Sequence, residues 1–557
     1  MRVPEIPYER YTIEMCQEAF ARFEKAAQEA KSAEELLAAR EAFLEEQKRF
    51  STAASLANCR FTLNTRDPYY TAEMEYYDTI MPQVSEISVK YGEIMLSTPY
   101  RAEMEKVVNP LCYLHYELHA KTYSPEVEED CREENAVVTE YSKLLSSITV
   151  ELDGKTLPLS FARGFLDSSD REVRKNAAYA IGEALRGVSE QLDGIYDRLV
   201  KIRTRIARKL GYENYIELGY YRMGRIDYNR EMVAKFRANV KEALVPVVSK
   251  IKADLAREMG LDAIHFYDDA VYISGGNPRP RDTAEGIFAN AQQMYDEMKP
   301  EIGDFMRRML ENEAFDVEAR EGKFGGGYCT GFDIYEQPFI LANFNGTAGD
   351  IDVITHEFGH ALAAENAYRE GEYELGVGSM ETAECHSMSM EFFCEPFMDK
   401  FFDDPKGYCR QHLLSSLSFI PYGVIVDEFQ HVVYENPDMT PAERKEAYLA
   451  LEKKYRPYLD WKGIPYLEEG TRWQYQSHIY ETPFYYIDYC LAQTVALGFF
   501  VMMQEDYGKA LDKYLTFLKA GGTKKFSALV REAGIADPFG EGTLGKMADK
   551  LLELLDR

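Results

Sequence analysis

Apolar residues recur at steps of three and four between charged ones over most of this chain, a spacing that amphipathic helices satisfy and strands do not. The pattern predicts helices over Tyr11–Ala30, Ala33–Phe50, Arg171–Leu185, Ser189–Lys209 and Arg230–Met259. The breaks are short: Asn109-Pro110, Asp153-Gly154, Gly275-Gly276-Asn277-Pro278 and Gly521-Gly522. No low-complexity segment and no fixed internal period appears, which excludes repeat architectures and long disordered linkers. With 557 residues, 46% of them hydrophobic, such a chain can bury a large core.

The formal net charge of −30, from 94 acidic and 64 basic residues, repels phosphate backbones and anionic lipid. Neither nucleic acid nor a membrane surface is an expected partner. The nine cysteines are odd in number, lack a CxxC pair and fall partly within apolar helical stretches, the usage of a reducing compartment. Met1 to Phe20 carries charges throughout and has no apolar core of signal-peptide type. The longest apolar run, Thr494–Met503, is too short to span a bilayer and reads as a buried helix. A soluble, cytoplasmic protein is expected.

One region departs from the helical pattern. Gly325-Gly326-Gly327-Tyr328-Cys329-Thr330-Gly331-Phe332 reads as a glycine-rich loop, leading into a short strand, Pro338–Phe344, closed by Asn345-Gly346. Three glycines before a strand suit either a tight turn or close approach of a ligand backbone. The lysine and hydroxyl of a phosphate loop do not follow them.

Directly after that strand comes His356-Glu357-Phe358-Gly359-His360. Thr347 is the predicted N-cap of its helix, with Asp350 closing a capping box, and Ile351, Ile354, Phe358 and Leu362 supply an apolar side. His356 and His360 stand one turn apart and project together, as a zinc ion requires. Glu357 lies beside them, where its carboxylate can activate a water at the open fourth position. Two histidines do not complete a site. The next cluster, Ser379 to Glu391, reads as a second helix capped by Ser379 and offers Glu381, Glu384, Cys385 and His386. Glu381, Glu384 and Glu391 share one face and Cys385 and His386 turn away; a carboxylate suits amide hydrolysis, but spacing does not separate Glu381 from Glu384.

With these residues the chain resembles the thimet oligopeptidase and oligoendopeptidase F family of zinc metallopeptidases, in particular its bacterial oligoendopeptidase F-like branch. The Asn-Gly-Thr lead-in to HEFGH is similar to the family's, as is a second helix bearing a liganding Glu, a serine three later and an acid seven later. Glu384, Ser387 and Glu391 fit that register, so the resemblance selects Glu384 as third ligand of one zinc ion. Family-like sequence runs from about Leu166 to Asp549, and Arg60–Thr65 with Pro68-Tyr69-Tyr70 echoes the N-terminal part.

The resemblance implies a mostly α-helical ellipsoid with a deep central substrate channel and a small β-sheet beside the zinc site. Residues 1–165 would form an N-terminal helical region covering the channel, and 166–557 the catalytic region. The sheet would line the channel and pair with substrate as an added strand, and Gly325, Gly326, Gly327 and Tyr328 would face the substrate backbone. His478 and a tyrosine-rich segment, in which Tyr486 and Tyr489 share a helical face, would hydrogen-bond the scissile carbonyl. The expected activity is zinc-dependent endopeptidase cleavage of short oligopeptides. A carboxypeptidase or dipeptidyl carboxypeptidase on the same scaffold, or a non-catalytic zinc-stabilised peptide-binding protein, are the alternatives.

Around the metal, Asp352 lies one turn before His356 and suits either an acceptor that orients the imidazole or a first-turn acid favoured by the helix dipole. Glu381 and Glu391 are further candidates for that supporting shell. His115 and His119 mimic a metal pair without an acid in the catalytic position and read as structural, as do His265, His386, His412 and His431.

Overall fold

The computed structural model describes residues 1–555, and the chain is mostly α-helical, as the periodicity requires. The predicted helices form with small shifts. The first runs Ile13–Glu29, and Arg171–Arg186 and Ser189–Lys209 match within a residue. The second continues past Phe50 to Leu63, because Ala53, Leu56 and Ala57 carry its buried stripe onward. The stretch from Arg230 is interrupted: a π-helical turn, Val240–Leu244, precedes Val245–Glu258. Pro246 explains the widening, since proline offers no N–H to the preceding turn and its ring needs extra room.

Asp153-Gly154, read as a break, is the turn of an unforeseen hairpin between Thr149–Leu152 and Lys155–Pro158. Both residues have positive φ, 50° and 74°, the pair of angles a two-residue hairpin turn demands.

A three-stranded sheet carries the chain to the motif helix. Gln337–Phe344 is its centre, paired parallel with Phe315–Glu318 and antiparallel with Tyr328–Phe332. Tyr328–Phe332 is thus a strand with Tyr328 opposite Leu341, where the sequence reading extended the glycine-rich loop. The turn between these strands passes through Glu336 at φ 48°.

The largest core cluster joins Ile351, Ile354 and Phe358 of the motif helix to Met390 and Phe392 of the next helix and to Leu491 and Val495 near the C-terminus. Smaller clusters serve the N-terminal helices, one of them built on Phe23, Phe43, Tyr91 and Tyr113. The apolar run at Thr494 belongs to a helix, Tyr486–Glu505, which at 20 residues is long and apolar enough to cross a membrane. Its most apolar window is 72% buried inside the chain, so its hydrophobicity is spent on the core.

Candidate metal centre and active site

The motif helix spans Gly349–Glu370 and the second helix Met380–Cys394. The predicted capping box does not form. Ala348 occupies the N-cap position, Thr347 donates to Asn345 Oδ1 at 2.7 Å, and Asp350 accepts the backbone N–H groups of Asn345 and Gly346 at 2.9 and 2.8 Å. The Asp350 carboxylate therefore ties the turn after the strand to the start of the helix, which fixes the helix relative to the sheet. Ser379 does stand at the N-cap of the second helix, with its hydroxyl on Glu381 and Thr382 and not on the backbone.

The two helices pack closely at one glycine. A methyl group on Gly359 would lie 2.6 Å from the His386 carbonyl oxygen and 2.7 Å from Ser387 Cα. Only glycine between Phe358 and His360 lets the second helix come near enough for Glu384 to reach the histidines. Glu384 Oε2 then stands 3.4 Å from His356 Nε2 and 3.4 Å from His360 Nε2. These three potential ligand atoms lie within 4.8 Å of one another. Glu381 is not part of this group: its carboxyl accepts from Ser379 at 2.6 Å. Cys385 is buried in the core and His386 packs against Phe517 with Nε2 on the Val377 carbonyl.

The electrostatics of the trio favour a cation. Burial alone would raise the pKa of Glu384, but the imidazoles of His360 and His356 reverse this and hold it well below the carboxylate range. Burial would likewise depress His356, and its hydrogen bonds to Glu384 and Glu391 outweigh that and raise it well above its usual value. Two imidazole nitrogens and one carboxylate oxygen are the donor set of catalytic zinc sites, and these residues fit such an ion.

A supporting shell surrounds them. Glu391 binds His356 Nδ1 through Oε1 at 2.6 Å and His412 Nε2 through Oε2 at 2.9 Å, and His412 Nδ1 lies 2.9 Å from Glu395. Asp352, a candidate for orienting His356, is instead hydrogen-bonded to the Tyr408 hydroxyl, and burial lifts its pKa to about 6. Its backbone position one turn before His356 points it to the neighbouring helix, Pro405–Glu435, and Glu391 takes the orienting place. His412, read as structural, is part of this network; its own helix gave no signal, because its partners, Glu391 and Glu395, come from the preceding segment.

Glu357 is 8% exposed and burial raises its pKa above the ordinary carboxyl value, against the pull of His356 and His360. The glycine loop passes beside it: a methyl on Gly327 would be 3.9 Å from Glu357 Oε1. Gly326 is held through its carbonyl, which accepts from Asn343 Nδ2 at 2.8 Å, and a methyl on Gly325 would meet Ser160 Cβ at 3.6 Å. Tyr328 does not turn its hydroxyl to this space; it pairs with Thr62 Oγ1 at 2.5 Å, at the end of the helix Ala33–Leu63.

The tyrosine segment arrives from the other side. Tyr485 donates to Glu384 Oε1 at 2.5 Å, and Tyr489 lies 3.4 Å from His478 Nε2. Tyr486 lies beside Tyr489 as expected, ring centroids 5.4 Å apart, and its ring stands edge-on to His478 at 5.0 Å, with Phe419 and Tyr422 on its other sides. Tyr485 stands at the N-cap of this helix, so Tyr485, Tyr486 and Tyr489 all gather round the His478 ring, and of the three Tyr485 is the one that reaches Glu384. Just before it, Phe484 is fully buried at φ 68°, its N–H held by Gln430 Oε1 at 2.9 Å and its carbonyl by Arg225. Arg225 is balanced by Asp488 at 2.9 Å. His115 and His119 lie near each other, ring centroids 6.5 Å apart, away from the trio, and burial lowers the pKa of both.

The sequence matches the family described as peptidase family M3 over residues 165–549 and the peptidase M3 N-terminal domain over residues 3–123. Among curated relatives, oligopeptidase PepF of Bacillus subtilis (strain 168) is 25% identical over 385 residues, 67% of this chain and 55% of PepF. Group B oligopeptidase PepB of Streptococcus agalactiae serotype III (strain NEM316) is 22% identical over 391 residues, 66% of this chain and 61% of PepB. The matched region thus spans less than two thirds of either relative. Among solved structures, PZ peptidase A with an inhibitor superposes with a TM-score of 0.97 at 42% identity, covering 99% of both chains. An oligoendopeptidase F from Enterococcus faecium shares the fold at 17% identity, with a TM-score of 0.62 over 97% of this chain and 98% of that one.

Proposed function

The chain belongs to peptidase family M3, and from that membership we propose that it is a zinc-dependent endopeptidase cleaving internal bonds of short peptides. The observation that carries the proposal is the single Glu384 oxygen 3.4 Å from both His356 Nε2 and His360 Nε2, with the buried Glu357 on the same helix. The names of the similar proteins, oligopeptidases and an oligoendopeptidase F, support short peptides as substrates.

Zinc held by His356, His360 and Glu384 would act as a Lewis acid that acidifies water and polarises the scissile carbonyl. The Glu357 carboxylate takes the proton from the attacking water and passes it to the leaving nitrogen; its raised pKa suits both halves of that transfer. Charge grows on the carbonyl oxygen, and the Tyr489 hydroxyl, backed by His478, is the donor on the side facing the metal trio. Tyr485 anchors Glu384, and Glu391 holds His356 by its other ring nitrogen. The backbone at Gly325–Gly327 beside Glu357 receives the substrate main chain.

Residues 1–165 serve as the cover of the substrate channel over the catalytic region, 166–557. The links at Thr62–Tyr328, from Thr65 to the Gly322 carbonyl and at Arg40–Glu372 support that assignment. Nine unpaired cysteines support a reducing, cytoplasmic setting.

The test is hydrolysis of an internally quenched peptide blocked at both ends, by wild type and Glu357→Gln, with zinc content measured on both. Internal cleavage is expected, with kcat in the variant about 10²–10⁴-fold lower at unchanged zinc content. Failure of the zinc-loaded wild type to cut the blocked peptide would overturn the endopeptidase reading.

A further inference from the structure

His478 makes one hydrogen bond on each side, and the identity of its partners decides which nitrogen carries the proton. On one side Gln476 Nε2 lies 2.9 Å from His478 Nδ1. On the other, His478 Nε2 is 3.4 Å from the Tyr489 hydroxyl. The Gln476 carbonyl oxygen is already engaged: it lies 2.6 Å from the Tyr422 hydroxyl. That length is usual for O–H···O and short for N–H···O, so the amide oxygen, not its nitrogen, faces Tyr422.

Tyr422 is itself biased to donate. The Arg472 guanidinium sits 3.8 Å over its ring centroid and that of Arg456 lies 5.6 Å away. Cations over the ring face draw electron density from the phenol, which strengthens its hydroxyl as a donor and weakens it as an acceptor. The Gln476 NH₂ group must then be the one that meets His478, and an NH₂ group only donates. Nδ1 is left as the acceptor, which in a neutral imidazole puts the hydrogen on Nε2. The ring is neutral near pH 7, since burial lowers its pKa to about 4 against a weaker pull from Glu384.

We propose that Gln476, held by Tyr422, is a positioning residue that fixes His478 as the tautomer protonated at Nε2, so that every hydrogen bond from Tyr422 to Tyr489 runs in one direction. His478 donates to the Tyr489 oxygen, and the hydroxyl proton of Tyr489 is left pointing onward as a donor to the substrate carbonyl. The distance of 3.4 Å is loose, as such contacts often are before substrate arrives. The catalytic part of this inference rests on the reading of Tyr489, backed by His478, as donor to the scissile carbonyl; the tautomer does not.

The experiment is ¹⁵N NMR of the histidine-labelled, zinc-loaded enzyme at neutral pH, with His478 assigned from the His478→Ala spectrum. The expected wild-type spectrum shows His478 protonated at Nε2 and bare at Nδ1. In Gln476→Leu the Nε2–H population falls towards a mixture, and kcat drops roughly tenfold while KM stays within about twofold. A purely structural role for Gln476 would lower stability without moving the tautomer. Protonation at Nδ1 in the wild type overturns the proposal, and that spectrum decides even if the variant does not fold. So does a Gln476→Leu spectrum with Nε2–H undiminished. If His478→Ala keeps full kcat, the donor reading of His478 fails, while the wild-type spectrum still judges the tautomer separately.

Discussion

Two trios of metal-type side chains converge among the described residues, and only one reads as a metal site. His356, His360 and Glu384 form the first, and Cys112, Glu372 and Glu374 the second, each with potential ligand atoms within 4.8 Å of one another. The difference is a resident cation. Arg40, 4% exposed, reaches across from the N-terminal helices and binds both carboxylates of the second trio, Glu372 at 2.6 Å, while Tyr116 donates to Glu374 at 2.8 Å. Among the described residues no guanidinium or ammonium enters the first trio: Glu384 meets two imidazoles and the neutral hydroxyls of Tyr485 and Ser387. Convergence of ligands is therefore insufficient; what marks a metal site is convergence with its compensating charge left out.

The largest expected effect that separates the trios is the loss of metal. Glu384→Ala should empty the protein of zinc on dialysis and abolish peptide cleavage, whereas Glu372→Ala should retain both; equal losses from the two variants would erase the distinction. Next comes the attempt to convert one trio into the other. Arg40→Ala leaves two partly buried carboxylates without their cation, which should cost up to about 3 kcal/mol in zinc-free buffer. Added zinc should then recover much of the melting temperature and raise the stoichiometry from one ion to two. No recovery with zinc would mean that Arg40 is not what keeps a metal out.

Glu381 sharpens the contrast from within the same helix as Glu384. It is buried without a cation bound to it, and burial together with the nearby Asp488 lifts its pKa from 4.5 to about 7. It is neutral in the fold at acid pH, so its contribution to stability is fully present below pH 4.5 and is lost as pH rises through about 7. The loss is on the order of 3 kcal/mol. Chemical denaturation across that range should show the decline in wild type and not in Glu381→Gln; parallel curves would refute it. The smallest effect lies in the supporting shell. Glu391→Leu should weaken zinc binding about 10- to 100-fold, measured by chelator competition, because His356 loses the acceptor that orients it. An unchanged affinity would show that the imidazole needs no such partner.

The legible part of this molecule was whatever a single helix encodes. The one-turn spacing of His356 and His360, the buried stripe through Ile351 and Phe358 and the start of the Ser189–Lys209 helix are all local, and all could be read from periodicity. Glu384 required the resemblance, since Glu381 occupies an equally good position and only the packing at Gly359 decides which carboxylate reaches the histidines. The misreadings cluster where a boundary or a distant partner rules. Tyr485 was not singled out, because the contact to Glu384 is made by the residue just ahead of the Tyr486–Glu505 helix, outside its periodic pattern. Of the candidates left open for His356's support, Glu391 holds the imidazole while Tyr408 takes Asp352, and His412 was passed over because its acceptors, Glu391 and Glu395, lie on the preceding segment.

Phe484 has a consequence for how far this sequence can drift. Its left-handed backbone costs on the order of 1–3 kcal/mol for a non-glycine residue, and its ring fills a space walled by Tyr215, Tyr220, His431 and Tyr434. Glycine at 484 would relieve the angle and empty the space; a β-branched residue would worsen the angle and fill the space badly. The other wall is Gly219, where a single added methyl would come within 2.6 Å of the phenylalanine ring. Positions 219 and 484, 265 residues apart in the chain, are thus mutationally locked: neither tolerates change alone, and descendants of this protein should alter them together or not at all.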